Sequence, residues 1–166
     1  MNQLTELDKA YLAGFFDGEG CVSITKQKGG KRSKSPSYNM RAIIAQAGKG
    51  IGLLEYWNAK AGVGVLHANK ATRKNWSTGV NWVISSDEAL EFLTCIHPYL
   101  HRKKEEAELA IEFQSNKKSI TFDGKSYGGP GNHGGLDMTI IEERERIYQQ
   151  LSAMKGHYTK RGRPAK

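Results

Sequence analysis

The chain has 166 residues, of which 38% are hydrophobic, and it carries a formal net charge of +8. This length suits one globular domain, and no apolar run approaches the ~20 residues of a membrane span, so a membrane protein is excluded. The basic charge is concentrated, because residues 20–86 contain eleven Lys or Arg and one acid, Glu55. Such segregation indicates a surface for a polyanion, so we expect nucleic acid as the partner and no membrane. A generally basic surface is the alternative.

The two cysteines, Cys21 and Cys95, lie far apart and in no metal-binding pattern. The first residues are acidic and lack an apolar stretch, which does not suit a signal peptide. We therefore expect free thiols and an intracellular location, whether the origin is an organelle, an archaeon, a bacterium or a phage. The domain is predicted to span residues 1–156, with a basic, disordered tail over 157–166.

The first predicted element is a helix. Thr5 and Asp8 indicate its start, and Gly18 and Gly20 indicate its end. Its apolar stripe is predicted to contain Leu7, Ala10, Tyr11, Gly14 and Phe15.

Alternating and helical spacings then predict four strands and four further helices. Ser85 with Glu88 forms one predicted capping box, and Thr139 with Glu142 forms another before the last helix. A Gly-rich segment over 115–136 is predicted to be irregular. The order αββαββαα plus a last helix gives an α+β fold with a four-stranded antiparallel sheet and helices on one face. The strands are predicted over 21–28, 37–47, 65–69 and 79–84, and the helices over 50–61, 86–96, 101–114 and 137–155.

One face of this sheet is predicted to be polar and to bind the major groove of duplex DNA, where Arg suits guanine and Asn or Gln suits adenine. A strand of ~9 residues spans ~30 Å, so two copies of the chain would cover roughly 18 base pairs. The predicted strand contacts are Ser23, Thr25, Gln27, Asn39, Arg41, His67, Asn69, Gly79 and Asn81, and the basic residues beside them are Lys28, Lys49, Lys70 and Arg73.

Two charge placements oppose the helix dipole. Asp17 and Glu19 lie at a helix C-terminus, where carboxylates are disfavoured unless a hard cation such as Mg²⁺ neutralises them. Basic residues over 101–104 begin another helix, which a bound phosphate would explain. The alternatives are solvated acids and solvated lysines at helix ends. Gly14 and Gly18, four residues apart, would also let a second copy of the first helix pack closely.

One stretch of the chain resembles the motif that names the LAGLIDADG homing endonucleases, since residues 12–20 read LAGFFDGEG. The resemblance extends over about residues 4–114 and includes Gln46 and the segments 62–65 and 98–103. It implies a saddle-shaped sheet, and one motif per chain implies a homodimer with the first helices at the interface. The implied interface residues are Leu12, Gly14, Phe15 and Gly18.

The resemblance also implies roles at the site. Glu19 matches the metal-binding carboxylate, and the carbonyl of Gly18 would face the metal. Gln46 would order water, and Lys103 would lie near the scissile phosphate. Shortly after Gln46, where a further basic residue is expected, the chain has Lys49 between two glycines. The implied activity is hydrolysis of both DNA strands with Mg²⁺; Mn²⁺ would substitute, and Ca²⁺ would bind without supporting cleavage.

Two other functions fit the same resemblance. One is an RNA-splicing maturase acting on its own intron RNA, although the retained Glu19 argues for cleavage. The other is a DNA-binding regulator that has lost cleavage. In the tail, Arg161-Gly162-Arg163-Pro164 resembles an AT-hook, whose arginines enter a narrow A·T minor groove; a plain basic end is the alternative.

Overall fold

A computed structural model describes residues 1, 3–29, 35–69, 78–122 and 138–159. The predictions for Lys70, Arg73, most of the Gly-rich segment and the AT-hook-like tail lie outside these residues. No helix in the described ranges is both long and apolar enough to cross a bilayer.

The described residues form α-helices and one antiparallel sheet in the order that the sequence predicted, which confirms the α+β class. The strands lie in the order β1-β2-β4-β3. The helices are α1 (Glu6–Glu19), α2 (Ile51–Ala61), α3 (Ser86–Ile96), α4 (Lys104–Phe122) and α5 (Met138–Thr159), and the strands are β1 (Gly20–Gln27), β2 (Ser37–Ala47), β3 (Val65–Asn69) and β4 (Gly79–Ser85).

Strand alternation gives the sheet one buried face, which the helices cover. Successive side chains of a strand point to opposite faces, so every second residue of β2 from Tyr38 to Ile44 is buried. The ring of Phe92 in α3 lies 5.5 Å from that of Trp82 in β4 and 5.7 Å from that of Phe16 in α1. This aromatic cluster packs the end of α1 against the sheet.

The start of α1 was predicted correctly, but the face that it buries was not. The Thr5 hydroxyl accepts the Asp8 N–H at 3.3 Å, and the Asp8 carboxylate accepts the Thr5 N–H at 2.9 Å, which is a capping box. In the predicted apolar stripe, however, Leu7 is 83% exposed and Tyr11 is 50% exposed. The buried residues are instead Leu12, Ala13 and Phe16.

The predicted capping box at α3 is wrong. The Ser85 side chain makes no capping hydrogen bond, and the Glu88 carboxylate instead accepts the backbone N–H of Gly64 at 3.0 Å. Gly64 has a φ of 76°, and a Cβ there would come 2.7 Å from Nε1 of Trp82. Glu88, which the local pattern assigned to the cap, therefore makes a long-range contact with the turn at Gly64, where glycine is required.

The last two helices differ from prediction at their ends. α4 begins at Lys104 and not at residue 101, and it continues through residues 115–122, where irregular structure was predicted. α5 begins at Met138, so Thr139 lies inside the helix and does not precede it, and α5 runs three residues into the predicted tail. Its buried residues Ile147 and Leu151 pack α5 alongside α4 and β1.

Candidate functional site

A stripe of small residues on α1 is open. Gly14 and Gly18 are exposed, and no atom lies within 4 Å of the position that a Cβ would take at either residue. Leu7 and Tyr11, the two exposed apolar side chains of α1, continue this stripe. Phe15 beside it is half-buried. The burial of Leu12 contradicts the prediction that it lies at an interface, because its side chain is 0% exposed and packs in the core of its own chain.

Asp17 connects the two unusual charge placements. Its carboxylate accepts the backbone N–H groups of His101, Arg102 and Lys103 at 2.8, 3.1 and 2.9 Å. Burial alone would raise the pKa of Asp17, but these three donors together outweigh burial and lower it. Asp17 therefore supplies an anion to the segment just before α4, for which the sequence suggested a bound phosphate, and its side chain is committed to structure.

Glu19, the last residue of α1, is exposed and makes no hydrogen bond or ion pair with the described part of the chain. Lys103 lies against the same helix end, 8% exposed, and its ammonium donates to the backbone carbonyl of Asp17. Burial, followed by the neighbouring Arg102, lowers the pKa of Lys103. The end of α1 thus presents one open carboxylate beside one buried cation.

The donors at this helix end fit a hard cation. No three His, Cys, Asp or Glu side chains converge as a metal site anywhere in the residues that the structure describes. Mg²⁺ does not require such a cluster, because it commonly takes one or two protein carboxylates and fills its other positions with water and phosphate oxygens. Glu19 and the carbonyl of Gly18 could hold Mg²⁺ in this way if a phosphate supplied further oxygens.

Gln46 lies at the same end of the sheet as the C-terminus of α1. Gly20, the first residue of β1, pairs with Ile44, so Gln46 extends two residues beyond that pair. A Cβ at Gly50 would come 2.3 Å from Oε1 of Gln46, so a side chain at position 50 would displace this amide. Lys49 is exposed in the turn between these two residues, away from any fixed contact within the described chain.

The polar residues predicted to contact DNA do share one face of the sheet. The strand register pairs Thr25 with Asn39 and His67 with Asn81, on the face opposite the core. This confirms their common face, while their contact with DNA stays a prediction. The face also carries Ser23, Gln27, Arg41, Asn69 and Gly79, and Lys28 is exposed just after β1.

One row of that face is apolar, which the sequence interpretation did not anticipate. Cys21 pairs with Ile43, Ile43 with Val83, and Val83 with Val65, so one row crosses all four strands. Val65 is 59% exposed. A partly exposed apolar row within a polar surface would suit a partner with apolar groups at matching positions.

A charged cluster fixes α5 to the sheet. The Glu145 carboxylate accepts a hydrogen bond from the Lys26 ammonium at 2.8 Å and another from the Tyr38 hydroxyl. Lys26 and then Tyr38 hold the pKa of Glu145 at about 2. The carboxylate is therefore charged at physiological pH and ties α5 to β1 and β2. No sequence pattern indicates this cluster, because Glu145 lies more than a hundred residues from both Lys26 and Tyr38 in the chain.

The fold is that of known homing endonucleases. The archaeal intron-encoded I-Vdi141I, solved with DNA, matches with a TM-score of 0.67 and 18% identity over 89% of this chain and 84% of its own. I-CvuI, solved with DNA and Mg, has a TM-score of 0.56 and 20% identity over 89% and 96%. I-TnaI has a TM-score of 0.59 and 17% identity over 92% and 99%. The TM-scores show a common fold, and at identities this low they show the fold alone.

The sequence establishes the family. The sequence model described as LAGLIDADG endonuclease matches residues 12–120, which is most of the chain. No curated protein sequence matches this chain. The chain belongs to the LAGLIDADG endonuclease family, as its motif predicted.

Proposed function

We propose that this chain is a homodimeric, intron- or intein-associated homing endonuclease that cuts a long pseudo-palindromic site in duplex DNA with a divalent metal. The observation that carries the proposal is the end of α1, where the exposed Gly18 and Glu19 lie beside Lys103 and at the same sheet end as Gln46. Membership of the family and relatives solved with DNA support it.

Each residue at the end of α1 has a separate role in the proposed phosphodiester hydrolysis. Glu19 and the carbonyl of Gly18 would hold Mg²⁺ or Mn²⁺, which activates water and polarises the scissile phosphate. Lys103, fixed by the Asp17 carbonyl, offsets the negative charge that develops on that phosphate. Gln46 orients water through its amide, which is neutral and does not act as a base.

Incubation with the candidate insertion site tests this function. The site is made by joining the two sequences that flank the gene after the intron is removed, and it is placed in a supercoiled plasmid. We expect linear product with Mg²⁺ or Mn²⁺ and bound but uncut plasmid with Ca²⁺. Binding without cleavage in every metal would instead support a DNA-binding regulator, and binding only to the intron RNA would support a maturase.

Gly14→Leu is expected to convert dimer to monomer, because a leucine side chain would separate two copies of α1 that pack through glycines. Overpacking costs ~1–3 kcal/mol, which corresponds to roughly 5- to 150-fold weaker association. Sedimentation over a range of protein concentrations measures the change. Gly52→Leu is the matched control, since Gly52 is an exposed glycine of α2 with equally open space around its Cβ position. An unchanged dimer in Gly14→Leu contradicts an α1 interface.

The apolar row on the sheet is expected to contact thymine methyl groups in the major groove. Replacing thymine with deoxyuridine removes only that methyl, and ~0.8 kcal/mol per buried methyl corresponds to about fourfold weaker binding. Binding titrations should show this loss when the replaced thymine faces Val83 or Ile43. They should show little change when the replaced thymine faces Thr25 or Asn39. Val83→Thr should reduce the difference between the two DNAs. A uniform response along the site argues against methyl recognition by this row.

A further inference from the structure

The face of α5 that packs against the sheet ends in a lysine. Ile147 and Leu151 are 1% and 2% exposed, and Lys155 follows at the next four-residue step on the same face of the helix. An apolar side chain would continue this packing, yet an ammonium group stands there. The charged cluster around Glu145 fixes the helix, so folding itself brings Lys155 to its position.

Lys155 reaches the end of α1. Its Nζ donates to Sγ of Cys21 at 3.4 Å, and Cys21 comes directly after Gly20. A cavity of about 460 Å³ opens at this point between α1, β1, α4 and α5. It is lined by Gly18, Gly20, Cys21, Arg102, Lys103, Glu106, Met154 and Lys155.

The charge of this cavity suits an anion. Its lining residues contribute three cations, Arg102, Lys103 and Lys155, against one carboxylate, Glu106. Like charges repel more strongly where burial lowers the dielectric, as it does at Lys103, and an anion would offset that repulsion. Because Gly18 forms part of the wall, the anion would lie next to Glu19.

We propose that Lys155, together with Arg102 and Lys103, binds a phosphate group of the DNA backbone in this cavity, next to the scissile bond. The inference rests on the proposed function for the identity of the anion. It adds the C-terminal helix to a DNA-binding surface that the sequence assigned to the sheet, its loops, the basic residues over 101–104 and the basic tail.

Removing the Lys155 ammonium should flatten the salt dependence of binding to a random-sequence duplex, measured by fluorescence anisotropy without metal. One lost phosphate contact lowers the slope of log affinity against log salt by ~0.9 per subunit. Lys155→Met should show this loss, and Lys155→Arg should keep the wild-type slope. Lys104→Met removes an exposed charge outside the cavity and is the control. An unchanged slope in Lys155→Met, or an equal loss in Lys104→Met, overturns the inference.

Alkylation of Cys21 locates the phosphate independently. In a Cys95→Ser background Cys21 is the only thiol, and bound duplex should slow its reaction with iodoacetamide. Protection should weaken in Lys155→Met at saturating DNA, and full protection there would count against the cavity. Neither readout needs cleavage. If the wild-type protein binds DNA without cutting it, only the proposed nuclease activity is contradicted. If the wild-type protein cuts DNA but Lys155→Met keeps the wild-type salt slope, only this inference is contradicted. If the wild-type protein binds no DNA, both are overturned.

Discussion

Glu19→Gln is expected to abolish cleavage while leaving DNA binding intact. The amide keeps the size of the side chain but loses the charge that attracts a divalent cation, and Glu19 makes no hydrogen bond or ion pair in the described chain that the change could disturb. Loss of the metal-binding carboxylate removes several kcal/mol of transition-state stabilisation, which is at least about a thousandfold in rate. Single-turnover linearisation of plasmid in Mg²⁺ measures the rate, and gel shift in Ca²⁺ measures binding.

The control for Glu19→Gln is Glu55→Gln, which makes the same chemical change at an exposed acid of α2. That variant should cut at the wild-type rate. Cleavage by Glu19→Gln within a few fold of wild type would refute the metal role. A parallel loss of binding and cleavage would instead mean that Glu19 contributes to DNA affinity.

Much of the fold could be predicted because its determinants are local. Successive residues of a strand face opposite sides whatever the rest of the chain does, so alternation alone assigned Tyr38 to the core face and Asn39 to the open face. The capping box at Thr5 also closes within four residues. The glycine-rich motif of α1 was recognisable for the same reason, since all of its residues are consecutive.

The buried face of α1 could not be read from its own sequence. Both the stripe that contains Leu7 and the stripe that contains Leu12 are apolar, and helical spacing does not distinguish a face covered by the same chain from one left open. The tertiary structure decides, because Phe92 and Trp82 cover the Phe16 side.

The electrostatics of the site were also hidden from the sequence. Asp17 and His101 are 84 residues apart in the chain, so two charge placements that each oppose the helix dipole were interpreted separately as sites for a metal and for a phosphate. In the folded chain they satisfy each other, which leaves Glu19 as the open carboxylate. Lys155 also lies at this site, because it contacts Cys21, which is 134 residues away in the chain.

Asp17→Ala is therefore expected to be the most destabilising change at the site, although Asp17 lies only two residues from Glu19. The alanine leaves three backbone N–H groups just before α4 without their charged acceptor, and hydrogen bonds to charged groups contribute about 1.5–3 kcal/mol each when well made. Because Asp17 is only partly buried and water would replace some of these bonds, we expect a total loss of about 3 kcal/mol in the free energy of unfolding.

Urea unfolding at one fixed protein concentration measures this loss, since a dimer links stability to concentration. Asp17→Asn should fall between wild type and Asp17→Ala, because an amide oxygen still accepts hydrogen bonds but lacks the charge. Glu19→Gln is the matched control, and its stability should equal or slightly exceed that of wild type, because it removes a negative charge from the C-terminal end of a helix. The roles of the two carboxylates would then be distinct: Asp17 would be required for folding and Glu19 for cleavage. Equal stability of Asp17→Ala and Glu19→Gln would show that the Asp17 contacts with α4 contribute nothing to the fold.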